Sequence, residues 1–243
     1  MNFIVCAVFK NEAHILEEWI RHYLIRGCDH IYLVNDNSTD DFITVIGKFS
    51  NVTVYNNIVI GDKKAIYNEY FKQCLPLAKW VAFLDLSDFL YNADSKFLPD
   101  VFSKYSKFGQ IIVPYYIFGS SGHYVQPTGA VHNFLKRGSS HGGGRCIMKG
   151  QRSLQKLTLD LDAKGHDSVR INNDDLLINN YCVQSLQWFL TVKAIRHSWD
   201  DITIQYFKER DQNTHIDNRL SLQTRLIEKA SKSLLRFGPL IRT

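Results

Sequence analysis

The chain has 243 residues, 45% of them hydrophobic and 13% aromatic, with a formal net charge of +5. That is an ordinary globular composition, long enough for one large core or two small ones. Five widely spaced cysteines with no Cys-x-x-Cys pattern exclude a disulfide or zinc framework, and no run approaches the roughly 20 apolar residues of a membrane helix.

Phe3 to Phe9 reads as a short apolar strand, too quickly followed by Lys10-Asn11-Glu12 to be a secretory signal. A soluble, cytoplasmic protein is therefore expected. Asn11 or a neighbour caps a helix running through Arg26, with Ile15, Trp19, Ile20 and Tyr23 at helical spacing and Gly27 as its stop. His30 to Val34 is a second strand. The polar run Asn35 to Asp41 then supplies caps for a helix over Phe42 to Phe49. Val52 to Tyr55 is a third strand, Lys63 to Cys74 a helix, and Trp80 opens a fourth strand that ends on Asp85 and Asp88. A helix begins at Pro99-Asp100, and Gln110 to Tyr115 is a fifth strand. This alternation predicts an α/β doubly wound fold with a mostly parallel sheet flanked by helices.

After Tyr116 the rhythm breaks. Phe118 to His123 and Ser139 to Gly144 read as loops, Arg145 to Met148 and Ile178 to Val183 as strands, and Ser185 to Arg196 and Asp201 to Arg210 as helices. Without a low-complexity linker, residues 1–216 are expected to form one domain, with an α/β half over about 1–116 and a divergent half over about 117–216. Residues 217–243 form a basic helical tail. Six basic residues and one acidic residue lie between Arg219 and Thr243, so the tail accounts for the whole net charge and the first 218 residues balance. Leu222, Leu226, Ala230 and Leu234 recur every four residues, with Leu220 and Ile227 alongside. That stripe either docks on the core or meets a membrane surface or acidic partner. The neutral core and the lack of any recognisable module argue against nucleic acid as a partner.

Three strand ends point the same way: Lys10-Asn11-Glu12, Asp36, and the pair Asp85 and Asp88. In an open parallel sheet they share the crevice where ligands bind. An isolated Asp-x-x-Asp is more often a turn or cap. Here the pair also suits a divalent metal on a diphosphate, with Asp36 facing a base or ribose. Lys63 and Lys64 either contact phosphate or form a solvated helix face. No Gly-x-Gly-x-x-Gly or P-loop occurs in this region, which leaves dinucleotide and ATPase chemistry unsupported. The triglycine Gly142 to Gly144 reads as a flexible loop able to order over a ligand.

Val8-Phe9-Lys10-Asn11-Glu12, Glu18-Trp19-Ile20-Arg21-His22-Tyr23, Gly27 to Asp36, Trp80 to Phe89, and Phe118-Gly119-Ser120-Ser121-Gly122-His123 follow one another in an order that resembles small glycosyltransferases of the family 2-like and family 92-like kind. Arg145 to Met148 and Asn179 to Ser185 resemble two later blocks of the same group, so the likeness covers roughly residues 3–196. The resemblance implies a GT-A fold and transfer of a sugar, with inversion, from a nucleotide-diphosphate donor (a UDP-sugar by default) to a glycan or other hydroxyl acceptor. It implies that Lys10, Asn11, Glu12, Asp36, Lys64 and Asp85 hold the nucleotide-sugar. Gly119, Ser120 and His123 would line the acceptor side, and Asp85, Asp88 and His166 would hold Mn2+ or Mg2+. Inversion requires a general base, for which His123 and His132 are the candidates, no aspartate standing out for that role, and Asp88 joins them as a catalytic residue. The chain departs from the group's pattern at Ser87, where a second Asp is usual, at Asp88, where Glu is usual, and at Asn180, where His is usual. Near His132-Asn133 an acidic residue is replaced. These departures raise the alternative of a catalytically inactive GT-A protein that binds nucleotide or glycan.

Overall fold

The computed structural model describes residues 1–59, 63–150, 168–172, 174–194 and 203–236. A seven-stranded sheet has the order β10-β6-β9-β4-β1-β2-β3. Its strands are β1 (Phe3–Phe9), β2 (His30–Asn35), β3 (Val52–Asn56), β4 (Trp80–Phe83), β6 (Gln110–Val113), β9 (Arg145–Lys149) and β10 (Ser168–Arg170). Every pairing is parallel except the two made by β9. The expected α/β fold with a mostly parallel sheet is therefore the observed one.

β1 is central and buried along its whole length. Its side chains alternate between two apolar clusters. Phe3, Val5, Ala7 and Phe9 face one, and Ile4, Cys6 and Val8 face the other. A strand covered on both sides has no solvent face to mark with polar residues, which explains its continuous apolar run. Helix α1 (Ala13–Leu24) buries Ile15, Trp19, Ile20 and Tyr23, the residues its spacing predicts. Gly27 ends the turn with φ +90, packed where a side chain would press on Pro99 and Phe97. The short α2 (Phe42–Ile46) is capped by Asp41, whose carboxylate accepts from Thr44 N. α3 (Lys63–Tyr70) is shorter than expected. The chain continues as a 3-10 turn over Lys72–Leu77 that contains Pro76, which has no N–H for an α-helical bond.

The second sheet has the order β12-β8-β7-β11-β5, built from β5 (Asp88–Tyr91), β7 (Tyr115–Phe118), β8 (Lys136–His141), β11 (Leu177–Asn180) and β12 (His215–Ile216). It corrects three sequence expectations. The apolar run from Trp80 is two strands, because the chain leaves the first sheet after Phe83 and enters the second at Asp88. The fifth strand is likewise split at Pro114, which cannot donate to a ladder. Part of the expected Ser139 to Gly144 loop belongs to β8, which finds a partner in β7 only through tertiary pairing.

Both sheets contribute to one apolar cluster, which includes Val5, Trp19, Phe89, Ile178, Tyr181 and Leu220. Helix α4 (Leu98–Ser103) covers Trp80 and Phe3 with Phe102. α5 (Leu186–Trp188) runs on as a π turn over Phe189–Lys193, and α6 (Ile204–Arg210) follows.

Helix α7 (Arg219–Arg236) closes the described chain. It docks by Leu220, Ser221 and Gln223, while Leu222 and Leu226 are 51% and 66% exposed. The expected docking stripe thus faces outward at these two positions. A four-residue repeat advances about 40° per step around an α-helix, so it does not follow a single face.

Candidate functional site

The carboxyl ends of β1, β2 and β4 lie side by side. Asp36 N donates to Phe9 O at 2.8 Å, and Leu84 N donates to Cys6 O at 3.1 Å. Asn11, just past β1, holds φ +53. Its N donates to Ser38 Oγ and its Oδ1 accepts from Thr39 N at 2.7 Å. Asp36 is buried, and its Oδ1 accepts from Asn57 Nδ2 at 2.9 Å. Glu12 is buried at the start of α1, Lys10 is half-buried, and Lys64 is exposed on α3. Non-glycine residues with positive φ also occur at Asn37, Ser121 and Gln184, in the loops that follow β2, β7 and β11.

Asp85 lies in the connection between β4 and β5. Asp88 N donates to Asp85 O at 2.9 Å, and Asp88 Oδ2 accepts from Asp85 N at 2.8 Å, so the pair closes a tight turn. β9 runs antiparallel to β4 with Ile147 opposite Ala82, which delivers Arg145 to the end of β4. Arg145 Nη2 donates to Asp85 Oδ2 at 2.7 Å and its Nε to Asp88 Oδ2 at 2.5 Å. The guanidinium also lies 4.7 Å from the Tyr115 ring centre. Gly142 makes room for that ring, since a side chain there would collide with it. Lys63 pairs with the other oxygen of Asp85, Oδ1. A cavity of about 160 Å³ opens here, lined by Lys63, Tyr67, Leu84, Asp85, Gly144 and Arg145.

Burial opposes the ionisation of Asp85, and Lys63 and Arg145 outweigh it, holding the carboxyl well below the usual carboxylate range. Burial likewise works against the Arg145 charge, and Asp88 and Asp85 more than restore it. Asp88 is fully buried, and its Oδ1 accepts from Asn180 Nδ2 at 2.7 Å. Every oxygen of the two carboxylates therefore already has an N–H partner. Among the described residues no group of three His, Cys, Asp or Glu side chains could hold a metal ion. Two carboxylates already paired with Lys63 and Arg145 are a poor donor set for a divalent ion, which takes several oxygen ligands and would sit beside two positive charges. His166, the third expected ligand, lies outside the described residues.

The Phe118 to His123 loop is tied down from the far side of the chain. Ser120 N donates to Asp211 Oδ1 and Ser121 N to Asn213 Oδ1 at 2.8 Å. Gly119 approaches these two side chains so closely that a Cβ would displace them. His123 Nε2 lies 3.2 Å from Asn133 O, which leaves Nδ1 as the acceptor nitrogen. His132 instead bonds Ser221 of α7, Nδ1 to Oγ at 2.7 Å. The fold thus brings Asn11, Asp36 and Asp85 to one sheet edge, and assigns His132 to helix docking.

No family model matches the chain. It is 27% identical over 134 residues to a glycosyltransferase family 92 protein of Oryza sativa subsp. japonica, covering 52% of this chain and 23% of that protein. To a second, from Ricinus communis, it is 24% identical over 200 residues, covering 76% of this chain and 36% of that protein. This chain is similar to glycosyltransferase family 92 proteins. The resemblance read from the sequence is borne out, although the chain spans only about a quarter to a third of the length of these family 92 relatives. Among solved structures, S. aureus TarS 1-349 aligns with a TM-score of 0.46 and 12% identity, covering 83% of this chain and 67% of that one.

Against the family 92-like pattern, the departures at Ser87 and Asn180 prove to be neighbours: Asn180 Nδ2 lies 3.3 Å from Ser87 Oγ. Sequence reasoning gave no role to Arg145, Asp211 or Asn213. The one available signal was an arginine directly after three glycines, at the start of a strand.

Proposed function

We propose that this chain is a glycosyltransferase that moves a sugar from a nucleotide-diphosphate donor, a UDP-sugar by default, to a hydroxyl of a glycan or similar acceptor. The observation that carries this reading is the row of Asn11, Asp36 and Asp85 at adjoining strand ends, with Lys63 and Arg145 beside Asp85, in a chain similar to family 92 proteins. Ligands of open α/β sheets bind at this edge. Asn11 and Asp36 face the nucleoside, and the Asp85 cavity takes the diphosphate. The Gly119 to His123 loop bounds the acceptor side. There His123 is the general base: its Nε2–H is directed to Asn133 O, and Nδ1, the acceptor nitrogen, receives the acceptor proton in an inverting transfer. The exposed Leu222 and Leu226, beside exposed Arg225 and Lys229, support contact of α7 with an anionic membrane surface. No described helix is long and apolar enough to cross a membrane.

The test is a panel of UDP- and GDP-sugars offered with mono- and oligosaccharide acceptors, read by nucleoside-diphosphate release. Wild type should turn over one donor. His123→Ala should lose turnover and still bind the nucleotide. Binding of a donor without any release would favour the binding-only reading. If no nucleotide-sugar raises the melting temperature and none is consumed, the transferase reading fails.

A further inference from the structure

We infer that the charge of a bound diphosphate is answered in this protein by Lys63 and Arg145 and not by a divalent ion. This rests on the nucleotide-sugar reading above. Lys63 pairs with Asp85 Oδ1 and Arg145 with Asp85 Oδ2 and Asp88 Oδ2, where the Asp85 amide also donates, and Asn180 donates to Asp88 Oδ1. Three of these oxygens keep a lone pair, but a divalent ion seated on one would lie against the ammonium or guanidinium that already neutralises the carboxylates, or would displace it from its ion pair.

The two positions that would otherwise add ion ligands are neutral and bonded to each other. Ser87 Oγ and Asn180 Nδ2 are 3.3 Å apart, and both side chains are buried. A hydroxyl and an amide satisfy one another without a cation and bring no negative charge to attract one.

The cations are already in place. Arg145 is fixed by Asp88 and by the Tyr115 ring, and its bonds to the two carboxylates use two of its five N–H groups. Its planar fork suits phosphate oxygens. Lys63 is 41% exposed on a flexible stem and spends one of three ammonium donors on Asp85. Both line the same cavity. Each keeps N–H donors beyond those its carboxylate partners accept, and a diphosphate in the cavity can take them up.

The experiment is calorimetric titration of UDP, GDP, ADP and dTDP into the full chain, first in EDTA and then in Mn2+, for wild type and Lys63→Met. The expected result is binding of one nucleotide in EDTA with an affinity within about threefold of that in Mn2+. Lys63→Met, at a half-exposed position, should keep a cooperative melting transition and bind about tenfold more weakly in EDTA. Binding that needs Mn2+, or that tightens tenfold or more on its addition, overturns the inference. So does a Lys63→Met protein that binds as tightly as wild type. If no nucleotide binds in either condition, the nucleotide-sugar reading itself has failed, and this inference falls with it.

Discussion

Asp88 shows how one carboxylate can be asked for in one role and used in another. Its spacing from Asp85 suggested a metal ligand or a catalytic group. In the fold it is fully buried, closes the turn through Asp85 N, and holds Arg145 in place. Asn180 completes it by donating to Oδ1 at 2.7 Å. Asn180→Leu should therefore destabilise the protein by about 2–4 kcal/mol, because it leaves a buried ionised oxygen without its donor. Urea denaturation at pH 7 measures this, and a loss below about 0.5 kcal/mol would show that water or another donor replaces the amide. Ser87→Asp should also destabilise. It sets a second carboxylate against Asp88 in a site where Ser87 is only 8% exposed. An Asp at 87 therefore does not simply restore an ion ligand.

The elements that carry the site are held by side chains as much as by ladders. β5 is the last strand of the second sheet, and its outer edge is met by helix α1. Trp19 Nε1 and the Tyr23 hydroxyl both donate to Asp88 O, at 2.9 and 2.8 Å, and Leu90 N donates to the same hydroxyl at 3.0 Å. His22 Nε2 lies 2.8 Å from Leu90 O. Side chains of one helix turn thus stand in for a missing neighbour strand and leave no open edge. Tyr23→Phe removes a donor and an acceptor at once. It should cost about 1–3 kcal/mol, read as a lower urea midpoint, and should raise hydrogen exchange at Leu90. Unchanged exchange there would mean that Trp19 and His22 alone hold the edge.

For the molecule as a whole, α7 is a structural brace as well as a basic tail. Leu220 enters the shared core, Ser221 bonds His132, and Gln223 Nε2 donates to Asn92 O and Ala93 O at 2.7 and 2.9 Å. Leu220→Ala should lower stability by about 2–5 kcal/mol. A melting temperature within a degree of wild type would show that the helix docks without it. Just before α7, Asp217 sits between Arg137 and Arg219. Burial opposes its ionisation, and the two guanidinium groups outweigh that and hold its pKa below the usual carboxylate range. A folded-state pKa depressed in this way adds stability above the unfolded carboxylate value of about 4 and loses it as pH falls further. Melting curves from pH 7 to pH 3 should fall more steeply below about pH 4 in wild type than in Asp217→Asn. Parallel curves would remove Asp217 from the acid response.

The sequence alone was enough to establish the α/β class, the strand ends that carry Asn11, Asp36 and Asp85, and the family likeness. Each of these is written in local periodicity or in contiguous motifs, which neighbouring residues impose on one another. Tertiary structure decided that the run from Trp80 divides between two sheets and that β9 inserts antiparallel beside β4. It also decided that Arg145, 60 positions from Asp85, becomes its partner. Ser87 and Asn180 looked like two independent losses in the chain and are one contact in the fold. Pairings across such separations depend on strand order and register, and no local pattern encodes either.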